Sequence, residues 1–277
     1  MARREGVALS GEARRGRLTF ERGAAGTVIR EAFAESPLKL LMPNNHGRAA
    51  WVFAATFGGG LVDGDAIGLD VAVGPGAAGL LGTQASTKVY RCPTGACRQD
   101  LATRVGEGAL LVSIPDPVVC FAGARYAQTI TVDLAPGASL VLLDAFTAGR
   151  SARGERWELS RYTSRTIVSR EGTPLLLDPI VLDPAEGAIP ARLGRFDALA
   201  TLLLFGPQVK ALRDAALASP RPLGKRAKVV EAASPIGDDG AVIRLAGSAV
   251  EDVVVAARAR LDGLGALLGD DPFARKW

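Results

Sequence analysis

The carboxylates of this chain sit where chemistry could be done. Asp63 and Asp65 flank Gly64 on a loop that also holds Gly58, Gly59 and Gly60. Four glycines in seven positions free the backbone for positive φ or for close approach of another chain. Downstream comes TQASTKVYR, which carries Lys88, Tyr90 and Arg91. Asp116 is fixed between Pro115 and Pro117, Asp144 ends the apolar run Val141-Leu142-Leu143, and Glu155 lies on a charged loop punctuated by Gly149 and Gly154. Oxygen donors of this kind suit a divalent cation held weakly. The same groups can instead be neutralised by Arg91, Arg150 and Arg153, because a buried carboxylate must pair with a cation or a metal.

Other chemistries are excluded or thinly supported. There is no GxxxxGK[ST] run, so P-loop nucleotide hydrolysis is not expected, and no GxGxxG follows a strand. His46 is the one histidine, which rules out HExxH and any multi-histidine metal site. It follows Pro43-Asn44-Asn45, a loop context. Cys92 and Cys97 form a C-x4-C around Pro93-Thr94-Gly95-Ala96, open to three readings: free thiols at a turn, a weak soft-metal site or a strained disulfide. Cys120, in Val118-Val119-Cys120-Phe121, reads as a small core hydrophobe. A rival use of the acidic residues is a carboxylate-dependent hydrolase acting on carbohydrate, with two carboxyls roughly 5 to 10 Å apart. Aromatic platforms for sugar stacking are scarce, at 5% of residues.

Short strands must position these groups. From Leu18 to about Leu182 the chain runs in brief apolar or alternating segments: Thr27–Phe33, Leu38–Met42, Ala49–Phe57, Ala66–Val73, Leu80–Gln84, Leu101–Val105, Leu110–Ile114, Ile130–Leu134 and Leu140–Phe146. Pro-Gly at 75–76 and 136–137 supplies turns. No repeat of fixed length is visible, which argues against a regular solenoid. After Pro190, Leu199, Leu202, Leu203, Val209 and Leu212 fall at helical spacing, predicting two helices between Phe196 and Ala218 broken at Gly206-Pro207. Two strands follow, Lys228–Ala233 and Ala241–Leu245. Ser248 and Glu251 then read as a capping box for a helix whose stripe runs from Val250 through Val253, Val254, Ala257, Leu261 and Leu264 to Leu268. The expectation is one mainly β domain, a large irregular many-stranded structure over 1–277, with a frayed start at 1–16 and two or three helices in the last third.

With 277 residues, 48% hydrophobic and 22% charged, the chain is globular in composition and can bury a large core. A net charge of +4 from scattered Lys and Arg gives no nucleic-acid stripe. No signal peptide and no membrane-length apolar window are evident, and three cysteines, an odd number, fit a reduced cytoplasm.

Taken together, GGGLVDGD, TQASTKVYR, PDPVVCFAGARYAQ and DAFTAGRSARGERW, in this order and spacing, resemble the UreD (UreH) family of urease accessory proteins. Pro37-Leu38-Lys39-Leu40 fits an early strand of that family, and Arg275-Lys276-Trp277 echoes its C-terminal ending. The resemblance implies a non-catalytic scaffold that binds a UreF-like protein and, through it, a UreG-like GTPase. The assembly would act on apo-urease to insert nickel. No cofactor would be tightly bound, and nickel would pass transiently along an acidic route. By this resemblance Asp65 ranks first in such a route, then Asp144 and Glu155, with Asp63 and Asp116 below them. Gly58, Gly59, Gly60, Gly64, Lys88, Tyr90, Arg91, Gly149, Arg150 and Gly154 form the motif framework.

Overall fold

A computed structural model describes residues 16–44, 47–219, 224 and 226–274. Its strands are β1 (Gly16–Arg22), β2 (Thr27–Ala34), β3 (Leu38–Leu41), β4 (Ala50–Thr56), β5 (Ala66–Val73), β6 (Ala78–Thr83), β7 (Lys88–Val89), β8 (Cys97–Val105), β9 (Leu110–Ser113), β10 (Val118–Cys120), β11 (Arg125–Leu134), β12 (Ser139–Thr147), β13 (Arg161–Arg170), β14 (Thr173–Leu182), β15 (Ala198–Phe205), β16 (Val229–Ile236) and β17 (Gly240–Gly247). Four helices accompany them: α1 (Ile189–Leu193), α2 (Lys210–Ala218), α3 (Val250–Ala259) and α4 (Leu264–Leu268). The protein is mainly β, with its helices late in the chain.

Two sheets face each other. The first has seven strands in the order β14-β13-β11-β8-β5-β1-β2. The second has ten, with β16-β17-β15-β12-β9-β6-β4-β3 as its path and β10 and β7 paired beside β12. Between Ala50 and Arg170 the chain passes back and forth between them, so that β5, β8, β11 and β13 lie parallel side by side in one sheet. In the other sheet β4, β6, β9 and β12 do the same. This is a flattened, irregular coil, closed at its flanks by antiparallel pairs such as β13–β14 and β16–β17. Its core is the buried inner face of both sheets, including Phe20, Tyr126, Leu140, Tyr162 and Phe205. A second core lies between the other face of the second sheet and the helices.

The coil has a sequence signature after all. Val73-Gly74-Pro75-Gly76-Ala77, Val105-Gly106-Glu107-Gly108-Ala109 and Leu134-Ala135-Pro136-Gly137-Ala138 are three stacked turns at one end. Gly76 N–H donates to Glu107 O at 2.9 Å, and Gly108 N–H to Pro136 O at 3.3 Å. Gly76, Gly108 and Gly137 all hold φ near +60 to +70° (64°, 60° and 68°), which only glycine adopts without strain. The spacing differs from turn to turn, so a search for one fixed period misses it.

Three other expectations need correction. Ala198–Phe205 is a strand, not a helix: its residues are almost all buried because one face meets the inter-sheet core and the other the helices, which erases the period-two pattern. The N-cap of α3 is Ala249, and no side chain caps it, so the Ser248–Glu251 capping box does not form. The apolar stripe from Val250 to Leu268 is split between α3 and α4 by Gly263, at φ 104°. Gly16 is the first residue of β1, and the rest of the expected frayed start lies outside the described residues, as do His46 and Arg275-Lys276-Trp277.

Candidate functional site

The four crossovers from the second sheet to the first stack at one end of the coil: residues 57–65, 90–96, 121–124 and 148–160. These are the four motif segments, far apart in sequence and adjacent in space. Backbone hydrogen bonds lace them together. Leu61 N–H donates to Lys88 O and Tyr90 N–H to Leu61 O; Cys92 N–H reaches Gly123 O, and Gly123 N–H reaches Glu158 O. A Cβ on Gly60 would lie 2.6 Å from Lys88 O, and one on Gly149 2.7 Å from Cys120 O, so close approach demands glycine at both. Gly58, Gly59 and Gly64 are needed for positive φ (76°, 75° and 87°), with open space around them.

Most carboxylates of these loops hold the loops themselves. Asp65 Oδ2 accepts Val62 N–H at 2.8 Å, closing its own turn. Asp63 accepts the backbone N–H groups of Thr94 and Gly95 and the Thr94 hydroxyl, and these bonds hold its carboxyl below the ordinary value. It thereby ties the glycine loop to the C-x4-C turn. Glu155 is paired with Arg150 and accepts Ala122 N–H at 3.3 Å; its carboxyl too is lowered, first by the Arg150 contact. Arg150 lies 4.1 Å from the centroid of the Phe121 ring, which meets Tyr90 edge-on at 5.2 Å. Arg153 and Arg156 are not the partners of Glu155 by contact, and Arg156 pairs with Asp197 at 2.5 Å. Arg91 packs its stem over Gly123. Cys92 and Cys97 are buried free thiols with sulfurs 3.5 Å apart, and burial with that contact raises the Cys97 thiol. Buried Cys120 is pushed up to about 12.

Asp144 is placed differently. It lies on the inner face of β12, 9% exposed, in a cavity of about 70 Å³ between the two sheets. Gln128 Nε2 donates to its Oδ1 at 3.1 Å and Ser164 Oγ to its Oδ2 at 3.0 Å. Burial raises its carboxyl above the usual range despite these two bonds. The Tyr126 hydroxyl is 3.0 Å from both Gln99 Oε1 and Gln128 Oε1, and its single proton serves one at a time. Asp116 and Thr83 line the same cavity, with Asp116 N–H donating to Thr83 Oγ1 at 2.7 Å. A second space of about 110 Å³ shares Leu38, Ala54, Ile67, Thr83, Thr87 and Gln99 with the first and adds Thr56, Gly59 and residues 84–86. The cavity thus opens beside the glycine loop. Beyond Asp144, Thr201 is its neighbour in β15, and Arg244 pairs with Asp178 at 2.7 Å across the sheets.

Asp144 and Asp116 therefore share the inter-sheet space, whereas Asp63, Asp65 and Glu155 belong to the crossover loops and line neither space. Gln99, Gln128, Ser164 and Tyr126 were not anticipated. Alternation carried the signal: Tyr126, Ile130 and Val132 face inward, so Gln128 in phase with them does too. Among the described residues no three His, Cys, Asp or Glu side chains converge as a metal cluster, and no described helix is long and apolar enough to cross a membrane.

The sequence model of the family described as UreD urease accessory protein matches residues 12–276. A protein named urease accessory protein UreD from Sorangium cellulosum is 58% identical over 276 residues, covering 100% of this chain and 86% of its own. One of the same name from an Anaeromyxobacter species is 45% identical over 265 residues, covering 94% and 88%. Urease accessory protein D of Oryza sativa subsp. indica is 35% identical over 289 residues, covering 93% and 94%.

Proposed function

This chain belongs to the UreD family of urease accessory proteins, and from that premise we propose that it is a non-catalytic scaffold for nickel insertion into apo-urease. It acts as one structural unit in the cytoplasm, bound to a UreF-like protein and, through it, to a UreG-like GTPase. Nickel is the cargo, and it passes through the space between the two sheets.

The observation that carries this reading is Asp144, a buried carboxylate lining a cavity that opens beside the glycine loop. An ion in transit needs ligands that let it go. Carboxylate, amide and hydroxyl oxygens bind a divalent first-row ion less tightly than a thiolate or imidazole cluster would. Asp144, Gln128, Ser164 and Asp116 supply such oxygens along the cavity. Asp65 and Glu155, which have structural partners, serve the route indirectly by holding the crossover loops in place.

The test is co-expression of the full chain with the urease structural and accessory polypeptides, with Asp144→Asn as the variant. Retained assembly with lower nickel content of the urease supports the route. Loss of assembly would make Asp144 a structural residue, and full nickel loading would take it off the path.

A further inference from the structure

The loop-bearing end of the coil has sorted its charges. Asp63, Asp65 and Glu155 have their carboxylates engaged by Thr94, Val62 and Arg150. Lys88, Arg91, Arg125 and Arg153 are exposed, and none of the four forms an ion pair with another described residue. One exposed carboxylate, Glu158, stands among them. On the first sheet Arg17 pairs with Glu31 at 2.7 Å and Arg98 with Asp100 at 2.6 Å, while Arg104 and Arg165 are exposed. The same end exposes two large apolar side chains, Phe57 at 57% and Val62 at 55%. Both lie on the glycine loop, whose Gly59 lines the second space, which adjoins the cavity.

We propose that this end is a docking surface for a protein that presents a carboxylate-rich patch around an apolar contact. The surface is preorganised, because the loops are locked to one another by backbone bonds and by Asp63, so little freedom is lost on binding. Exposed cations without an ion-pair contact steer an acidic partner and set its register. Phe57 and Val62 supply the apolar centre that a purely electrostatic contact lacks. Phe121 and Tyr90 are packed against each other and beneath Arg150, so they form no stacking platform for bases. A protein seated here covers the mouth of the inter-sheet cavity.

The choice of apo-urease as probe rests on the accessory-protein reading. The tagged full chain is co-expressed with the urease structural polypeptides and the captured apo-urease is measured. Lys88→Glu with Arg91→Glu and Arg153→Glu reduces capture by about tenfold or more, while Lys88→Arg with Arg91→Lys and Arg153→Lys preserves it. Wild-type capture weakens as salt rises. Arg104→Glu, at the opposite end of the coil, has no effect. Equal capture by the charge-reversed chain, or equal loss with Arg104→Glu, overturns the surface and leaves the accessory reading standing. No capture by the wild type overturns both. Retention of duplex DNA by the wild type, lost on charge reversal, assigns the surface to nucleic acid and overturns the proposal.

Discussion

Asp63 and Thr94 stand on different crossovers of the coil and are joined twice, through the Thr94 backbone N–H at 2.9 Å and its hydroxyl at 2.6 Å. Two motif loops are thus one structural element, and the carboxylate between them acts as a clasp.

The clasp is sensitive to acid. Hydrogen bonding holds the Asp63 carboxyl below its ordinary value of 3.8, so the unfolded chain binds more protons than the folded one in the window between the two values. Stability from this group is present above that window and is lost as pH falls through the folded value. Asp63→Asn should melt earlier than the wild type near neutrality, and the gap should close as pH falls below 3.8. Thermal melts across that range decide it, and a gap that widens in acid refutes the assignment.

Gly60 and Gly59 differ in why they are glycine. Gly59 has a positive φ and open space, so Gly59→Ala costs on the order of 1 kcal/mol in backbone strain. Gly60 is extended at φ 165°, but an added Cβ would sit 2.6 Å from the Lys88 carbonyl. Gly60→Ala should therefore cost more, about 1–3 kcal/mol from forced displacement, and should loosen the pairing of Leu61 with Val89. Denaturant melts of the two variants give the comparison, and a smaller loss for Gly60→Ala contradicts it.

Removing the Asp144 side chain takes the acceptor from the Ser164 hydroxyl and leaves the Gln128 amide only its 3.1 Å bond to Ser164 Oγ, at a cost of about 1–3 kcal/mol. Asp144→Ala should therefore be less stable than Asp144→Asn, which keeps the volume and one acceptor. Both should lower nickel loading of co-expressed urease. Nickel loss confined to the alanine variant would point to collapse of the cavity instead of loss of the carboxylate.

Glu231 on β16 and Arg260 beyond α3 form an ion pair at 2.6 Å, with their side chains 0% and 12% exposed. Arg260→Ala takes one partner from a buried carboxylate and should cost about 1–3 kcal/mol. Replacing both with leucine or methionine should come close to wild-type stability. Chemical denaturation checks both, and a double variant as unstable as the single one contradicts the pairing.

Much of the β architecture was legible because half-buried strands alternate, as Ile130 to Leu134 does, and because Pro-Gly marks the turns. The late strand Ala198–Phe205 was illegible because burial on both faces makes a strand and a buried helix look alike. The motif loops could be singled out by glycine and charge, but not their stacking, since register between strands about thirty residues apart is set by tertiary packing. For the candidate site, Asp144 was visible as an acid at the end of an apolar run. Its Gln128 and Ser164 partners required knowing that β11 and β13 are neighbours.

The alternation of the chain between two sheets constrains how it can be synthesised. As the polypeptide leaves the ribosome, β1 has no parallel neighbour until Ala66–Val73 has emerged, and β4 waits for Ala78–Thr83. Each new rung buries the last and exposes its own edge, and long-range pairing of this kind is slow and prone to aggregate. The growing edge is covered in the first sheet only when β14 folds back on β13, and in the second only when β17 and β16 follow β15. A nascent chain halted before Arg161 would present all ten residues of β11 along an open strand edge. The segment from Arg161 onward therefore supplies the strands that cover the edges left open by everything before it.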